Sequence, residues 1–190
     1  MPAPHMRLQH GDALLVVDIQ RDFCSGGALS ITGADEIVPI INDLIKEAIG
    51  AKALVVASRD WHPSDHSSFH AFGGIWPMHC VQGSEGAKFH AALRLPGDAL
   101  IVTKGQTLGK DQCSAFDATG LADELRRRGV KRVLICGLAQ DVCVRATALA
   151  SVEAGFKTHL RLSATRAVEP VHGEEAIAEM IGAGVMVEGS

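Results

Sequence analysis

Cys143 stands in the stretch GLAQDVCV (residues 137–144), two residues after Asp141, where an apolar run gives way to a helical pattern. A cysteine at such a junction reads in one of two ways. It is a small buried hydrophobe, or it is a thiol whose proton is loosened by the N–H groups of a helix start. Three further polar residues occupy equivalent places, because the apolar runs ALLVVDI (13–19), ALVVAS (53–58) and ALIVTK (99–104) lead into Asp18, Asp60 and Lys104. Taken singly, an Asp after a strand is a turn former, and Asp141 is an N-cap for a helix that begins near Val142. Taken together, thiol, carboxylate and ammonium form a complete set for acyl transfer. Cys143 would attack a carbonyl, Asp18 would accept the thiol proton and return it to a leaving amine, and Lys104 would favour the thiolate by its charge. The resulting oxyanion needs preorganised donors, and the successive backbone N–H groups of the turn through residues 137–143 can supply them.

A second constellation lies in RDWHPSDHSSFH (59–70) and WPMHC (76–80). Five of the nine histidines fall between His62 and His90, so the clustering asks for a cause. Asp60, His62, His66 and His79 together offer mixed carboxylate and imidazole ligands, which suit one divalent ion of zinc, iron or manganese with positions left open. A solvated polar loop is the competing reading. Phe23 and Trp76 are two of the few aromatics and each lies beside one of these elements; core packing explains them, and so do walls for a flat ring. Cys136 sits inside an apolar strand and reads as core, while Cys24, Cys80 and Cys113 have no visible activating partner.

The elements that must position these groups follow from periodicity. Strands are expected at 13–19, 53–58, 99–104 and 132–138, with a fifth at 156–162 and a weaker sixth at 184–188. Ile37, Ile41, Leu44, Ile45 and Ala48 repeat at helical spacing, with Pro39 tolerated in a first turn. Further helices are expected at about 119–129, 141–154 and 173–182, stopped by Gly129 and Gly155 in the first two cases. Uniformly apolar strands with intervening helices imply an α/β fold of three layers: a mostly parallel, five- to six-stranded sheet with helices on both faces. In such a sheet, ligands bind beyond the carboxyl ends of the strands, where the four polar residues are expected. Residues 60–98 are polar, Gly- and His-rich and too long for an ordinary connection, which marks them as functional or disordered.

A chain of 190 residues, 47% hydrophobic, is expected to build one domain across residues 1–190. A net charge of −4 gives no footing for a nucleic-acid partner, and the basic run Arg126, Arg127, Arg128, Lys131 and Arg132 reads as the end of a helix, where cations complement the dipole. No long apolar stretch or signal-like start is present, so a cytoplasmic protein with no membrane partner is expected. An odd number of cysteines without CxxC spacing points to reduced thiols. Self-association is left open.

The segments VVDIQRDFCSGGAL, SRDWHPSDHSSF, WPMHCVQGSEGAKFH, VTKGQ and GLAQDVCV resemble, in order, the signature segments of the nicotinamidase/pyrazinamidase branch of the cysteine hydrolase (isochorismatase-like) family. The likeness runs from about residue 13 to residue 170. It implies an amidohydrolase that converts nicotinamide to nicotinate and ammonia through a thioester, with pyrazinamide as a second substrate. It further implies Cys143 as nucleophile, Asp18 as general acid/base, Lys104 as the group that holds both, and oxyanion donors from the backbone of Ala139 and Cys143 around a cis Leu138–Ala139 bond. Asp60, His62 and His79, with His66 as a further ligand, are implied to hold the metal, which binds the substrate's ring nitrogen; Phe23 and Trp76 are implied to sandwich the ring. Gln140 departs from the family, which usually has Thr there. Two other readings stand beside this one: a related hydrolase for another small amide or an isochorismatase-like vinyl ether, and a non-catalytic metal-binding member of the fold.

Overall fold

The computed structural model of the protein describes residues 5–189. Six strands form one sheet: β1 (Asp12–Val17), β2 (Leu54–Asp60), β3 (Leu100–Lys104), β4 (Arg132–Leu138), β5 (Lys157–Arg166) and β6 (Met186–Glu188). Their order is β3-β2-β1-β4-β5-β6, and every neighbouring pair is parallel. The chain winds outward from β1 to one edge and from β4 to the other, so the switch point lies between these two central strands.

Both faces of the sheet are covered, which is why the central strand β1 is apolar and buried from Ala13 to Val17. Leu14 and Val16 pack with Ile37, Ile41 and Ile45 of α1 (Ala34–Ala51). Ala13, Leu15 and Val17 face the other way, onto α2 (Leu121–Arg127), α3 (Arg145–Glu153) and α4 (Pro170–Gly182). Arg126, Arg127 and Arg128 close α2 as expected, the last two paired to Glu124, whereas Arg132 opens β4 and pairs with Asp12.

Several boundaries differ from expectation for local physical reasons. The expected helix at 141–154 is α-helical only from Arg145; residues Gln140–Val144 wind as one wider, π-type turn, in which Val144 N–H donates to Ala139 O at 2.9 Å. Asp141 does not cap this turn. Its two carboxylate oxygens accept from Val168 N and Glu169 N at 2.9 and 3.0 Å, tying the turn to the entry of α4. α1 starts early enough that Pro39 sits in the second turn, on the exposed side, where the carbonyl it leaves unpaired can meet water. β5 runs further than expected because its pairing with β4 slips between Ile135 and Gly137, and the strand resumes at Thr165.

Residues 60–98 form an ordered connection. Gln20 bridges to Phe89, His62 to Val81 and Phe69 to Trp76, and these short ladders fold the segment back over the carboxyl end of the sheet. Among the described residues no helix is long and apolar enough to cross a membrane. The five cysteines are unpaired.

Gly137 carries the closest backbone approach at the switch point. With φ at +119°, a Cβ built on it would lie 2.1 Å from Val17 O, whereas Gly155, at φ +89°, has nothing within 4 Å. Gly155→Ala is expected to cost about 1–2 kcal/mol from backbone conformation alone, and Gly137→Ala more than about 4 kcal/mol because β1 and β4 must part. Urea unfolding midpoints check this, and equal losses at the two positions would contradict it.

Candidate active site

The carboxyl ends of β1, β2 and β3 and the turn after β4 converge at the switch point. Asp60 and Lys104 are direct register partners on β2 and β3, so their side chains leave the sheet side by side. Asp18 follows β1 with φ at +49°, a left-handed conformation that Asp tolerates better than most residues. Its N–H donates to Ser58 O at 3.2 Å.

Lys104 is the centre of this group. Its Nζ lies 2.6 Å from Asp60 Oδ1, 2.8 Å from Asp18 Oδ2 and 3.5 Å from Cys143 Sγ. Asp18 and Lys104 are both 0% exposed, so water contributes nothing to solvating either charge. Ser58 Oγ donates to Asp18 Oδ1 at 2.7 Å. Asp18 Oδ2 is within ion-pair distance of the ammonium but is not aligned with it as a hydrogen bond, which leaves this oxygen without a directed donor. The side-chain ligand atoms of Asp18, Asp60 and Cys143 lie within 4.8 Å of one another.

The electrostatics differ from the expectation of a ready thiolate. Burial pushes the Cys143 thiol well above its ordinary range; Lys104 opposes this, while Asp18 and Asp60 reinforce it. Burial likewise raises Asp18, and the Lys104 charge only partly offsets it. Burial would raise Asp60 too, but Lys104 and His62 together hold it below the usual carboxylate range. Lys104 stays an ammonium: the cost of burying it is outweighed by the two carboxylates. One cation shared by two anions leaves no surplus positive charge for a resting thiolate. The arrangement thus favours the protonated thiol, and Asp18, with a raised pKa and an oxygen without a directed donor, is the carboxylate beside the same ammonium that has the character of a proton acceptor.

The turn carrying Cys143 contains a cis Leu138–Ala139 peptide, as the resemblance implied. The Ala139 N–H meets no acceptor among the described residues. Gln140 points away from the cleft: its Oε1 accepts from Thr165 Oγ1 at 2.9 Å and its Nε2 donates to Gly173 O at 3.0 Å. The departure from Thr is thus absorbed behind the turn, against β5 and α4.

Above the sulfur lies a cleft whose lining includes Phe23, Trp76, Ile31, Val142 and Val168 on apolar walls. Asp60, His62 and His79 line it too, and their ligand atoms fall within 4.8 Å of one another. His62 Nδ1 donates to Gly105 O at 2.9 Å and His79 Nδ1 to Pro77 O at 2.8 Å. Each ring thereby keeps its Nε2 free, the arrangement found where a backbone carbonyl orients a metal-bound imidazole. His66 lies outside this trio. Its ring is 4.3 Å from that of His62, its Nδ1 contacts Ser68 Oγ at 2.7 Å, and its Nε2 is buried without a partner. Burial, chiefly, lowers the pKa of both His66 and His79, which keeps them neutral. The donor set fits a divalent cation: one carboxylate oxygen left over from Lys104, two oriented imidazole nitrogens and a third orphaned beside them.

Of the remaining thiols, burial raises Cys24 and Cys113 to about 11 and Cys136 to about 12, in keeping with inert side chains. Two residues that hold the site escape a reading by residue type. Ser58 is a polar residue inside an apolar run, and that interruption was its only signal. Gln20 is fully buried; its Oε1 accepts from Asp60 N at 2.8 Å, and its Nε2 donates to Asp60 O and Ala87 O, both at 2.8 Å. It acts as a strand partner made from a side chain, and it locks Asp60 to the long connection.

Residues 12–189 match the family model of the isochorismatase domain. The nicotinamidase/pyrazinamidase of Mycobacterium tuberculosis is 38% identical over 181 residues, spanning 91% of this chain and 96% of that protein. A crystal structure of the pyrazinamidase of Pyrococcus horikoshii in complex with zinc superposes with a TM-score of 0.90 at 46% identity, covering 93% of this chain and 98% of the other. PnC1 from L. infantum in complex with nicotinate follows at 0.88 and 36% identity, covering 96% of both chains.

Gln20→Leu removes the partners of Asp60 N, Asp60 O and Ala87 O. Each orphaned buried group costs about 1–3 kcal/mol, so the variant is expected to lose about 3 kcal/mol or more of stability. Thermal unfolding measures this; a loss under about 1 kcal/mol, the size of a single ordinary hydrogen bond, would show that Asp60 is held by other means.

Proposed function

The chain belongs to the isochorismatase-domain family, and we propose that within it the protein is a nicotinamidase, hydrolysing nicotinamide to nicotinate and ammonia and accepting pyrazinamide by the same route. The observation that carries this reading is the burial of Cys143, Asp18 and Lys104 together beneath a cleft that also holds an aromatic pair and the Asp60, His62 and His79 group.

In this reading the pyridine ring lies between Phe23 and Trp76, with its carboxamide carbon over Cys143 Sγ. Asp18 Oδ2 takes the thiol proton as sulfur attacks the carbonyl carbon. The negative charge that passes to the carbonyl oxygen is met by the N–H groups of Ala139 and Cys143. Asp18 then gives its proton to the departing nitrogen, ammonia leaves and a thioester remains. In the second half Asp18 takes a proton from water, the hydroxide adds to the thioester carbon, and collapse expels the sulfur, which recovers the proton from Asp18. Lys104 keeps both carboxylates in place and offsets charge on sulfur during each half.

Asp60, His62 and His79, with His66 as a further ligand, would hold one divalent ion. The chemistry that zinc, iron or manganese supplies there is Lewis acidity toward a ring nitrogen, which fixes the angle of the ring and thus of its carboxamide. Asp60 divides its work: Oδ1 faces Lys104 at 2.6 Å, while Oδ2 faces His62 Nε2 at 3.7 Å. The reading extends to one catalytic domain, and five unpaired thiols support a reducing compartment such as the cytoplasm.

A coupled ammonia assay with nicotinamide, pyrazinamide and simple aliphatic amides, beside a pyruvate-release assay with isochorismate, tests the substrate class. Turnover of the two ring amides is expected to exceed that of the others by a factor of about a hundred or more in kcat/KM. Cys143→Ala is expected to release no ammonia while retaining the wild-type metal content; normal turnover by that variant would falsify the assignment of the nucleophile. Trp76→Ala is expected to raise KM about tenfold or more with a smaller change in kcat, since it removes ring binding common to ground and transition states. A fall in kcat alone would instead place Trp76 among the groups that act on the reacting atoms.

A further inference from the structure

His62 comes from a loop, so the pose of its ring depends on what its Nδ1 touches. That contact is Gly105 O at 2.9 Å. Gly105 sits at φ +70°, and a Cβ built on it would lie 2.5 Å from His62 Cε1, so only glycine lets the main chain come this close. A glycine is a soft support, because its own torsions are the freest of any residue. The structure stiffens it from outside. The peptide between Lys104 and Gly105 is held on both edges: Lys104 O accepts from Trp61 N at 3.0 Å, and Gly105 N–H donates to Gln112 Oε1 at 3.0 Å. Gln112 is buried, and its Nε2 donates to Asp117 O at 2.7 Å. The second bond fixes which amide atom faces Gly105, since only the oxygen can accept.

We propose that Gln112 is a positioning residue for the metal group: by anchoring the N–H on one side of Gly105 it restrains the residue whose carbonyl, on the other side, aims His62, and so sets metal affinity without touching the ion. The proposal rests on the reading of Asp60, His62 and His79 as ligands. Partners that orient a metal-bound imidazole carry about 10–100-fold in affinity. Here the orienting atom belongs to a glycine, so the group that immobilises the glycine inherits a large part of that factor. Without Gln112, Gly105 N–H is also a buried donor with no acceptor, and the loop relieves it by shifting Gly105, and its carbonyl with it, away from His62.

Zinc affinity of the full chain, read by competition with a chromophoric chelator, tests this directly. Gln112→Met keeps the side-chain volume and removes both bonds; it is expected to bind zinc about tenfold or more weakly than the wild type. Gln112→Ala provides the same reading should the methionine variant not fold. Gln112→Glu keeps the acceptor for Gly105 N–H but loses the donor to Asp117 O, and is expected to bind zinc more tightly than Gln112→Met and more weakly than the wild type. Thr147→Val serves as the control for general loosening, because Thr147 Oγ1 accepts from Ala115 N at 3.0 Å and anchors the same connection at a point away from Gly105; it is expected to bind zinc as the wild type does. Wild-type affinity in the variants that remove both bonds would overturn the proposal, as would an equal loss in Thr147→Val or a Gln112→Glu affinity below that of Gln112→Met. His62→Ala separates the two levels. Zinc binding that survives this substitution refutes the ligand reading itself, whereas zinc lost in His62→Ala but kept in Gln112→Met refutes only the role of Gln112.

Discussion

One buried ammonium shared between two carboxylates organises this molecule. Lys104 has no exposure to water, and an isolated charge in that position would cost several kcal/mol. Asp18 and Asp60 offset that cost, and each gains a different character in return. Asp60 is held ionised and offers its second oxygen toward the histidines. Asp18, with burial uppermost, has a raised pKa and one oxygen without a directed donor, the state of a group that can accept a proton and give it back. A symmetric pair of carboxylates around one cation would do neither job well; Ser58 on one side and His62 on the other break the symmetry.

The sheet makes this sharing cheap to assemble. Strands β3, β2, β1 and β4 lie next to one another, and their carboxyl ends bring Lys104, Asp60, Asp18 and the Cys143 turn into one row. Rigid parallel strands fix three of the four groups, so little conformational entropy remains to be lost when a substrate arrives. The fourth group, Cys143, sits on a turn that is tied from behind by Gln140 and Asp141 to β5 and α4. Residues 60–98 then close the cleft from above, and Gln20 joins that segment to the strand ends. The cluster of Asp60, His62 and His79 and the cluster of Asp18, Asp60 and Cys143 are thus coupled through Asp60, which belongs to both.

The sequence disclosed the parts more readily than their interactions. Apolar runs with polar ends marked the central strands and placed Asp18, Asp60 and Lys104, because strands covered on both faces are apolar until they reach the carboxyl end of the sheet. The resemblance then named the cis peptide and the histidine group. Gln20 and Gln112 escaped because an amide that replaces a missing backbone partner leaves no periodic trace. Asp141 was misjudged for a related reason: its position suited a cap, but the two N–H groups it serves arrive from residues 168 and 169, which no local pattern reveals. The upward push on the Cys143 thiol was hidden as well, since it follows from burial and from the two carboxylates beside the one ammonium in three dimensions, and not from the nearness of a lysine in a strand.

The central claim is that the Lys104 charge is indispensable because the carboxylates are there, and the most direct measurement is a double-mutant cycle in folding stability. Lys104→Met, Asp18→Asn and the pair together would be unfolded in urea near neutral pH. The account predicts that the double variant is more stable than Lys104→Met alone, with a coupling of about 3 kcal/mol or more, because removing the stranded anion repairs part of the damage. Losses that simply add would contradict it, and would mean that ammonium and carboxylate are stabilised independently of each other.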